Sequence, residues 1–206
     1  MHHGRHSLAV SLPIITQRLV LRRFTHDDAS DLLELVSHPS FARAVPEMEP
    51  TESGIHRYIE QQLSYQPFER DKVFDLAVVC KPDGKVIGLL TLVRQEQVGA
   101  IGWALGEEFR GHGYAAESAG ALLDYAFASL GLHRIEAETG CHNEPSWRLM
   151  ERLGMRREAH LLEAIAGDGR RLDSYVYALL AGEWAGTDGE VGTGGRIKDA
   201  PREDMQ

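Results

Sequence analysis

Apolar residues follow one another along the chain in short runs that predict strands, and these runs alternate with stretches of helical spacing. The strand-like runs are rich in Val, Ile and Leu and are bounded by Gly, Pro, Asp or Asn. They cover residues 19–22, 74–80, 86–93, 98–105, 135–139, 159–165 and 172–180. Turn residues at 81–85 and 166–171 predict that the second and third runs form a hairpin, and that the last two runs form another.

The stretches between the strands place apolar residues every three or four positions, which is the period of a helix. The predicted helices begin near Asp27, Thr51, Ala115 and Asn143. Asp27 and Asp28 are typical of a helix start, and the second helix is predicted over residues 51–65. The third has the clearest apolar stripe, which runs to Leu130 and ends at Gly131.

These alternating elements predict one α/β (α+β) domain over residues 14–184. Its sheet is expected to be mixed and mostly antiparallel, with about seven strands flanked by helices. Residues 1–13 carry three histidines without a periodic pattern, which predicts a disordered arm or a cloning remnant. Residues 185–206 contain five glycines and five acids but few large apolar residues, so a disordered tail is predicted there.

The composition is that of a globular protein, and its charge narrows the classes of partner. Of the 206 residues, 43% are hydrophobic and 26% are charged, with a net charge of −9. The first thirteen residues carry +1 and the last twenty-two carry −2, so residues 14–184 carry −8. Nucleic-acid binding is disfavoured because neutralising phosphates needs an excess of Lys and Arg. The net negative charge favours a cationic small molecule as ligand, or it only keeps the protein soluble.

Targeting and cysteine patterns favour the cytoplasm. The longest stretch without a charged side chain lies near residues 6–17 and is shorter than the roughly 20 residues of a membrane span. We find no secretory signal and expect no membrane association. Cys80 and Cys141 match neither a C-x-x-C motif nor a disulfide framework, and no metal site is predicted.

A glycine-rich turn joins the fourth predicted strand to the third predicted helix. It reads Arg110-Gly111-His112-Gly113-Tyr114-Ala115. Glycines allow close approach of a ligand and positive φ, while a helix N-terminus attracts anions, so an anion site and a plain structural turn are both open. A P-loop is excluded because no Gly-Lys-Ser/Thr follows, and Glu117 and Ser118 stand where a Rossmann motif needs glycine.

A second segment with candidate chemistry starts at Asn143. As local sequence it predicts a capped helix over residues 143–154, with Pro145 in the first turn and Gly154 at the end. On that interpretation Asn143 is a helix cap and Ser146 is a solvated hydroxyl.

Taken together, the motifs resemble those of the GNAT superfamily of N-acetyltransferases, most of all its RimJ/RimL type, which acts on the N-termini of ribosomal proteins. The resemblance covers residues 14–184 and includes the glycine-rich turn. Its other motifs are Thr16-x-Arg18-Leu19-x-Leu21-Arg22, Gly88, Asn143-x-x-Ser146, Leu153-Gly154-Met155, and Asp173-x-x-x-Tyr177 followed by Glu183-Trp184.

The resemblance implies acetyl-CoA as co-substrate and a sheet splayed between its fourth and fifth strands. Backbone amides of the turn would hold the cofactor's pyrophosphate, through Arg110, Gly111, His112, Gly113, Tyr114 and Ala115. Edge amides near Trp103, Ala104 and Leu105 would face the pantetheine arm, and one would stabilise the thioester oxygen. Asn143 would hydrogen-bond the same arm.

The resemblance also implies how the acetyl group is transferred. A neutral primary amine would attack the thioester directly, and Ser146 would hydrogen-bond or protonate the departing thiolate. Glu138 is the candidate base, with Glu107, Glu108 and Asp173 as alternatives, whereas an acetyl-cysteine route through Cys141 is disfavoured.

The function expected from these residues is acetyl-CoA-dependent N-acetylation of a protein N-terminus or of a small-molecule amine. The net negative charge of the domain favours an acceptor that is cationic. The alternatives are a non-catalytic domain of the same fold that binds or senses acyl-CoA, and a structural domain that binds no phosphate. A monomer or a homodimer is expected.

Overall fold

One eight-stranded sheet runs through the protein, in the order β1-β2-β3-β4-β5-β6-β8-β7. The computed structural model describes residues 12–167 and 170–187. The strands are β1 (Ile14–Ile15), β2 (Leu19–Arg22), β3 (Val73–Cys80), β4 (Val86–Gln95), β5 (Val98–Leu105), β6 (Arg134–Gly140), β7 (Arg156–Gly167) and β8 (Arg170–Leu180). All neighbouring strands are antiparallel except β5 and β6, which are parallel. The expected mixed, mostly antiparallel sheet flanked by helices is thus confirmed.

The helices lie on both faces of this sheet. They are α1 (Ala29–Ser37), α2 (Pro39–Ala42), α3 (Glu52–Ser64), α4 (Tyr114–Ala128) and α5 (Glu144–Arg152). Short 3₁₀ turns at His26–Asp28 and Glu107–Phe109 precede α1 and follow β5. Thr51 begins α3 as expected, because its side-chain oxygen accepts the Gly54 N–H at 3.1 Å.

The structure has one more strand than the sequence pattern predicts. The additional strand is β1, which pairs with β2 through only two residues and is therefore too short to show a period. The turn of the late hairpin is also tighter than expected, because β7 extends to Gly167 and β8 begins at Arg170. The four-residue helix α2 is a further element that the pattern did not predict.

Two hydrophobic cores are separated by the sheet, because successive residues of a strand point to opposite faces. Leu76 and Leu90 pack on the α4 and α5 side with Leu122 and Leu149. Ala77, Leu89 and Ala104 pack on the α1 and α3 side with buried residues that include Phe41, Ile55 and Ile59. Both cores reach β5, so the site described below lies where they meet.

The expected arm and tail fall almost entirely outside the described residues. At the start of the predicted tail, the Thr187 hydroxyl donates to Asp124 of α4 at 2.6 Å, next to the Trp184 indole, which donates to the same carboxylate at 2.7 Å. No helix among residues 12–167 and 170–187 is long and apolar enough to cross a membrane.

Candidate active site

The parallel strands β5 and β6 pair only at their beginnings. Their register covers three residue pairs, from Val98–Arg134 to Ala100–Glu136, and the strands diverge from there on. Over the same length β6 stays paired with β8 on its other edge, from Arg134 to Gly140. The parting therefore leaves backbone groups of residues 101–105 facing β6 without a strand partner, as the splay between the fourth and fifth predicted strands requires.

A cavity of about 260 Å³ fills the gap between these strands. It is lined by Ala44, Val45, Glu47, Leu89, Thr91, Ile101, Gly102, Trp103, Ala104, Glu138, Thr139, Asn143, Ser146 and Met150. The lining joins residues of the α1–α3 side of the sheet to residues of β6 and α5. A molecule in this cavity would therefore contact both faces of the sheet.

The glycine-rich turn lies at the end of β5 and leads into α4. Gly111 and Gly113 have φ values of 79° and 80°, a conformation that residues with a side chain rarely adopt. The first helical bond of α4 runs from the Glu117 N–H to the Gly113 carbonyl, so the amides of residues 113–116 point out of the helix end. Gly113 provides no side-chain cap, which leaves these amides and the positive end of the helix dipole available to an anion.

Arg18, next to β2, holds this turn from the side. Its Nε donates to Glu117 of α4 at 2.6 Å, and its guanidinium donates to the His112 carbonyl at 2.8 Å. The same guanidinium lies 4.6 Å from the centre of the Tyr114 ring. The Arg18 guanidinium thus contacts the turn at His112 and the first turn of α4 at Tyr114 and Glu117.

Glu117 is also bound by backbone and side-chain donors from the segment before β2. Its Oε1 accepts the Arg18 N–H at 2.7 Å and the Thr16 hydroxyl at 2.6 Å. Burial by itself raises the pKa of Glu117, but the hydrogen bonds from Thr16 and Arg18 outweigh it and hold this pKa below its usual range. The carboxylate is therefore ionised at neutral pH and joins α4 to β2.

The side chains of Arg110 and His112 are bound to other groups of the protein. Arg110 turns back, and its guanidinium donates to the Leu105 carbonyl at 3.1 Å and to the Ser40 hydroxyl at 3.1 Å. The His112 ring stacks on Tyr114 with ring centres 6.0 Å apart. Arg110 thus fixes the end of β5, and what the turn offers an anion is mainly its backbone.

Helix α5 brings Asn143 and Ser146 into the cavity. Asn143 occupies the position before the helix, yet its side chain makes no capping hydrogen bond, and its backbone carbonyl accepts the Ser146 N–H at 3.1 Å. Asn143 is one of the residues that line the cavity. Asn143 therefore takes the expected cap position without a side-chain capping bond, and Ser146 is half-buried in the cavity wall rather than fully solvated.

Of the four carboxylates considered as a base, only Glu138 lines the cavity. Its Oε1 accepts the hydroxyl of the buried Ser174 at 2.5 Å, which holds it in place. Glu107 pairs with His38 at 3.0 Å, and Asp173 pairs with His160 at 3.1 Å. Glu108 is exposed outside the lining.

Sequence reasoning missed Glu47 and Thr91 as members of the cavity wall. Thr91 donates its hydroxyl proton to the buried Asp75 at 2.6 Å. Asp75 and Thr91 are polar interruptions of the otherwise apolar strands β3 and β4, and this was the available signal. Glu47 lies between α2 and α3, where no period marks it.

No group of three or more His, Cys, Asp or Glu side chains within the described part of the chain is placed to hold a metal ion. Cys141 lies outside the cavity lining, and its N–H donates to the Asp173 carbonyl at 3.0 Å.

Comparisons with known proteins agree with this geometry. The sequence profile of the acetyltransferase (GNAT) domain matches residues 18–156. The uncharacterized N-acetyltransferase YnaD of Bacillus subtilis (strain 168) is 31% identical over 173 residues, which are 83% of this chain and 98% of that protein. The crystal structure of an acetyltransferase (GNAT family) from Bacillus anthracis has a TM-score of 0.74 at 29% identity, covering 84% of this chain and 100% of that one.

A further relative has a named acceptor. It is the ribosomal protein uS5-alanine N-acetyltransferase of Escherichia coli (strain K12), which is 30% identical over 84 residues, or 41% of this chain and 43% of that protein.

Proposed function

The chain belongs to the GNAT family of acetyltransferases, and we propose that it transfers the acetyl group of acetyl-CoA to a primary amine by direct attack of that amine on the thioester. The observation that carries this proposal is the parting of β5 and β6 beside the uncapped N-terminus of α4. Acetyl-CoA fits this arrangement because its diphosphate needs an anion site and its extended thiol arm needs unpaired backbone groups. The N-terminus of α4 offers the first, and the edge of β5 offers the second.

The turn and α4 bind the diphosphate. Backbone amides of residues 111–115 donate to its oxygens, and the helix dipole adds to the attraction. The Arg18 guanidinium holds the turn from the side, but Glu117 balances its charge, so the attraction comes from the amides and the helix dipole. The turn is thus a local exception to the acidity of the protein.

The strand edge and α5 bind the thiol arm and its acetyl group. Unpaired amides near Trp103, Ala104 and Leu105 hydrogen-bond the arm, and one of them stabilises the negative charge that develops on the thioester oxygen. The Asn143 amide, which is not used as a cap, hydrogen-bonds the same arm. Ser146 hydrogen-bonds the sulfur as the thiolate leaves.

The acceptor is a primary amine, either a protein N-terminus or a small molecule. The relative from Escherichia coli is named for an alanine of ribosomal protein uS5, which supports an N-terminal amine. The carboxylates of Glu47 and Glu138 line the cavity, and both favour a cationic acceptor. Glu138 is the candidate base on the β6 side, for the proton that the ammonium form of the acceptor loses before it attacks.

Acetyl-CoA binding is tested by thermal unfolding. We expect saturating acetyl-CoA to raise the melting temperature of the parent protein, because a ligand that binds only the folded state stabilises it. Gly113→Glu places an anion at the diphosphate site and should abolish this rise. Gly131→Glu is the matched control, because Gly131 lies beyond the other end of α4 and also has a positive φ, 67° against 80°.

The outcomes separate the proposal from its alternatives. Absence of a shift in the parent protein would overturn the acetyl-CoA site. A shift that Gly131→Glu keeps and Gly113→Glu loses supports the site. Thiol release is then measured with spermidine and with tripeptide amides that begin with Ala, Ser or Met. Binding without turnover across these amines would support the non-catalytic acyl-CoA sensor instead.

A further inference from the structure

Three residues form a row across the sheet beside the cavity. Asp75 of β3 lies directly opposite Thr91 of β4, and Thr91 lies directly opposite Gly102 of β5. Directly opposite residues of antiparallel strands project to the same face of the sheet. Because Gly102 has no side chain, the Thr91 side chain borders the cavity instead of a neighbouring side chain.

The row ends in a buried carboxylate to which the family motifs assign no role. Asp75 is only 2% exposed, and α3 covers it with Tyr58 and Gln62. Tyr58 donates its hydroxyl to Oδ2 at 2.5 Å, and the Gln62 amide donates to the same oxygen at 3.2 Å. Thr91 donates to the other oxygen, Oδ1, at 2.6 Å. The carboxylate is therefore satisfied by three side-chain donors, and only one of them lines the cavity.

The hydrogen bond to Asp75 decides what Thr91 offers to a ligand. A threonine hydroxyl has one proton and two lone pairs. Since the proton is directed at Asp75, the oxygen can only accept a hydrogen bond on its cavity side. Thr91 is thus an acceptor for an N–H group in the cavity, connected through a single proton to a buried carboxylate.

We propose that Thr91 and Asp75 form a two-residue relay that takes a proton from the attacking amine. As the new N–C bond forms, an amine proton moves to the Thr91 oxygen while the Thr91 proton moves to Asp75 Oδ1. The C–S bond breaks, and the thiolate leaves hydrogen-bonded to Ser146 and takes a proton from solvent. Asp75 returns its proton to solvent after the amide product has left, so the relay ends as it began.

The surroundings of Asp75 suit a group that accepts a proton. Burial raises the pKa of Asp75 above its usual range, against the hydrogen bonds from Thr91 and Tyr58, which lower it, and the Glu47 carboxylate raises it further. Tyr58 holds its own proton firmly, because burial and the neighbouring Asp75 raise its pKa well above the usual value. Gln62 does not titrate. Among Asp75, Tyr58 and Gln62, Asp75 is therefore the group that can take up a proton.

The relay rests on the proposed function, and its test removes the relay without removing the acetyl-CoA site. Thr91→Val keeps the shape of the side chain but has no hydroxyl, whereas Thr91→Ser keeps the hydroxyl. We expect Thr91→Val to lower kcat/KM for the amine about 100-fold and Thr91→Ser to retain it within about fivefold. The Kd for acetyl-CoA should change less than about twofold in both variants.

The matched control is Thr51→Val. Thr51 caps α3 and lies outside the cavity lining, so Thr51→Val destabilises the fold by removing a helix cap and leaves both relay residues in place. The parent and the three variants are compared by initial rates of thiol release from pH 6 to 9, with spermidine and an Ala-initiated tripeptide amide as acceptors, and by thermal unfolding.

The relay is supported if kcat/KM falls in Thr91→Val but stays near the parental value in Thr91→Ser and in Thr51→Val. Parental kinetics in Thr91→Val, with the parent active, would overturn the relay and leave the proposed function intact. An equal kinetic loss in Thr91→Val and Thr51→Val would also overturn it, because stability alone would then explain the effect. A parent that binds acetyl-CoA but acetylates no amine would overturn the proposed function, and the relay with it.

Discussion

Asn143 and Ser146 lie at the start of α5, and both line the cavity, although the first turn of a helix usually needs a side-chain cap. Asn is a favoured capping residue, yet the Asn143 side chain leaves the end of α5 uncapped and lines the cavity. Pro145 compensates in part, because its missing N–H removes one unsatisfied donor from the first turn. Ser146 then lies one residue further along, in the same cavity wall.

Ser146→Ala is the prediction at this scale. If the hydroxyl stabilises the departing thiolate, its loss lowers kcat about 10- to 100-fold, while the Kd for acetyl-CoA changes less than about threefold. Ser37→Ala is the control, because Ser37 ends α1 with an exposed hydroxyl bonded only to the Leu33 carbonyl, at 2.6 Å. Initial rates of thiol release give kcat, and an unchanged kcat in Ser146→Ala would remove Ser146 from the reaction.

At the scale of elements, the close approach of β4 and β5 brings β5 to the site. A Cβ atom at Gly88 of β4 would lie 2.2 Å from the Ala104 carbonyl oxygen and 2.9 Å from the Leu105 Cα atom. Both contacts are with backbone, which a side-chain rotation cannot relieve. Only glycine therefore lets β5 follow β4 to the point where its edge amides face the cavity.

Gly88→Ala should displace the end of β5. We expect a loss of roughly 2–4 kcal/mol in the free energy of unfolding and weaker acetyl-CoA binding, because the strand edge has to move. Gly182→Ala is the matched control, since a Cβ atom there meets nothing within 4 Å. Urea unfolding and titration with acetyl-CoA measure the two effects. Parental values for Gly88→Ala would contradict the structure at this contact.

The glycine-rich turn depends on a second element, the segment that enters β2. Glu117 accepts three hydrogen bonds from Thr16 and Arg18, and these join α4 to the other end of the domain sequence. Because the pKa of Glu117 is lowered in the folded protein, its ionised form stabilises the fold above the usual value of 4.5. That stabilisation is lost as the pH falls below 4.5 towards the lowered pKa.

Glu117→Gln tests this dependence on pH. We expect the variant to unfold roughly 3–5 °C below the parent at pH 7, because the charge-assisted bonds to Arg18 are lost. The difference should stay constant down to about pH 5 and shrink as the pH falls below 4.5, since the parent then loses the same interaction. Melting temperatures at each pH give the comparison, and a difference independent of pH would contradict the role of the ionised carboxylate.

At the scale of the whole molecule, the protein offers different charges to its two substrates. The chain has a net charge of −9, and Glu47 and Glu138 carry part of that charge into the cavity. The diphosphate site instead uses backbone amides and the positive end of the α4 dipole. An anionic donor and a cationic acceptor can therefore bind to one acidic protein at neighbouring places.

Salt should affect the two substrates differently. We expect the KM for spermidine to rise about fivefold between roughly 20 and 300 mM NaCl, because screening weakens its attraction to the acidic cavity. The KM for an Ala-initiated tripeptide amide, with its single charge, should rise less than about twofold. Acetyl-CoA should bind no more weakly at high salt. Equal salt effects on both amines would contradict electrostatic selection of the acceptor.

Local sequence patterns were sufficient for every element except β1 and α2, and for part of the site. The period of the apolar residues, Gly111 and Gly113 before α4, and Pro145 in α5 are features of neighbouring residues, and local propensity acts at that range. The structure places the predicted Trp103, Asn143 and Ser146 around one cavity.

Only the tertiary structure decided the direction of side chains and the meeting of distant segments. The sequence does not indicate where the Arg110 guanidinium points, and the structure directs it to the Leu105 carbonyl and the Ser40 hydroxyl. Arg18 and Glu117 are 99 positions apart in the chain and meet because β2 and α4 pack together.

The position of Asp75 beside Thr91 likewise depends on strand register. A shift of one residue would turn either side chain to the opposite face of the sheet. The sequence by itself therefore determined which of the longer elements form and which residue types each one carries, because turns and apolar periods act over a few residues. The packing of distant elements determined which of those residues face one cavity, because register and side-chain direction are set by contacts between them.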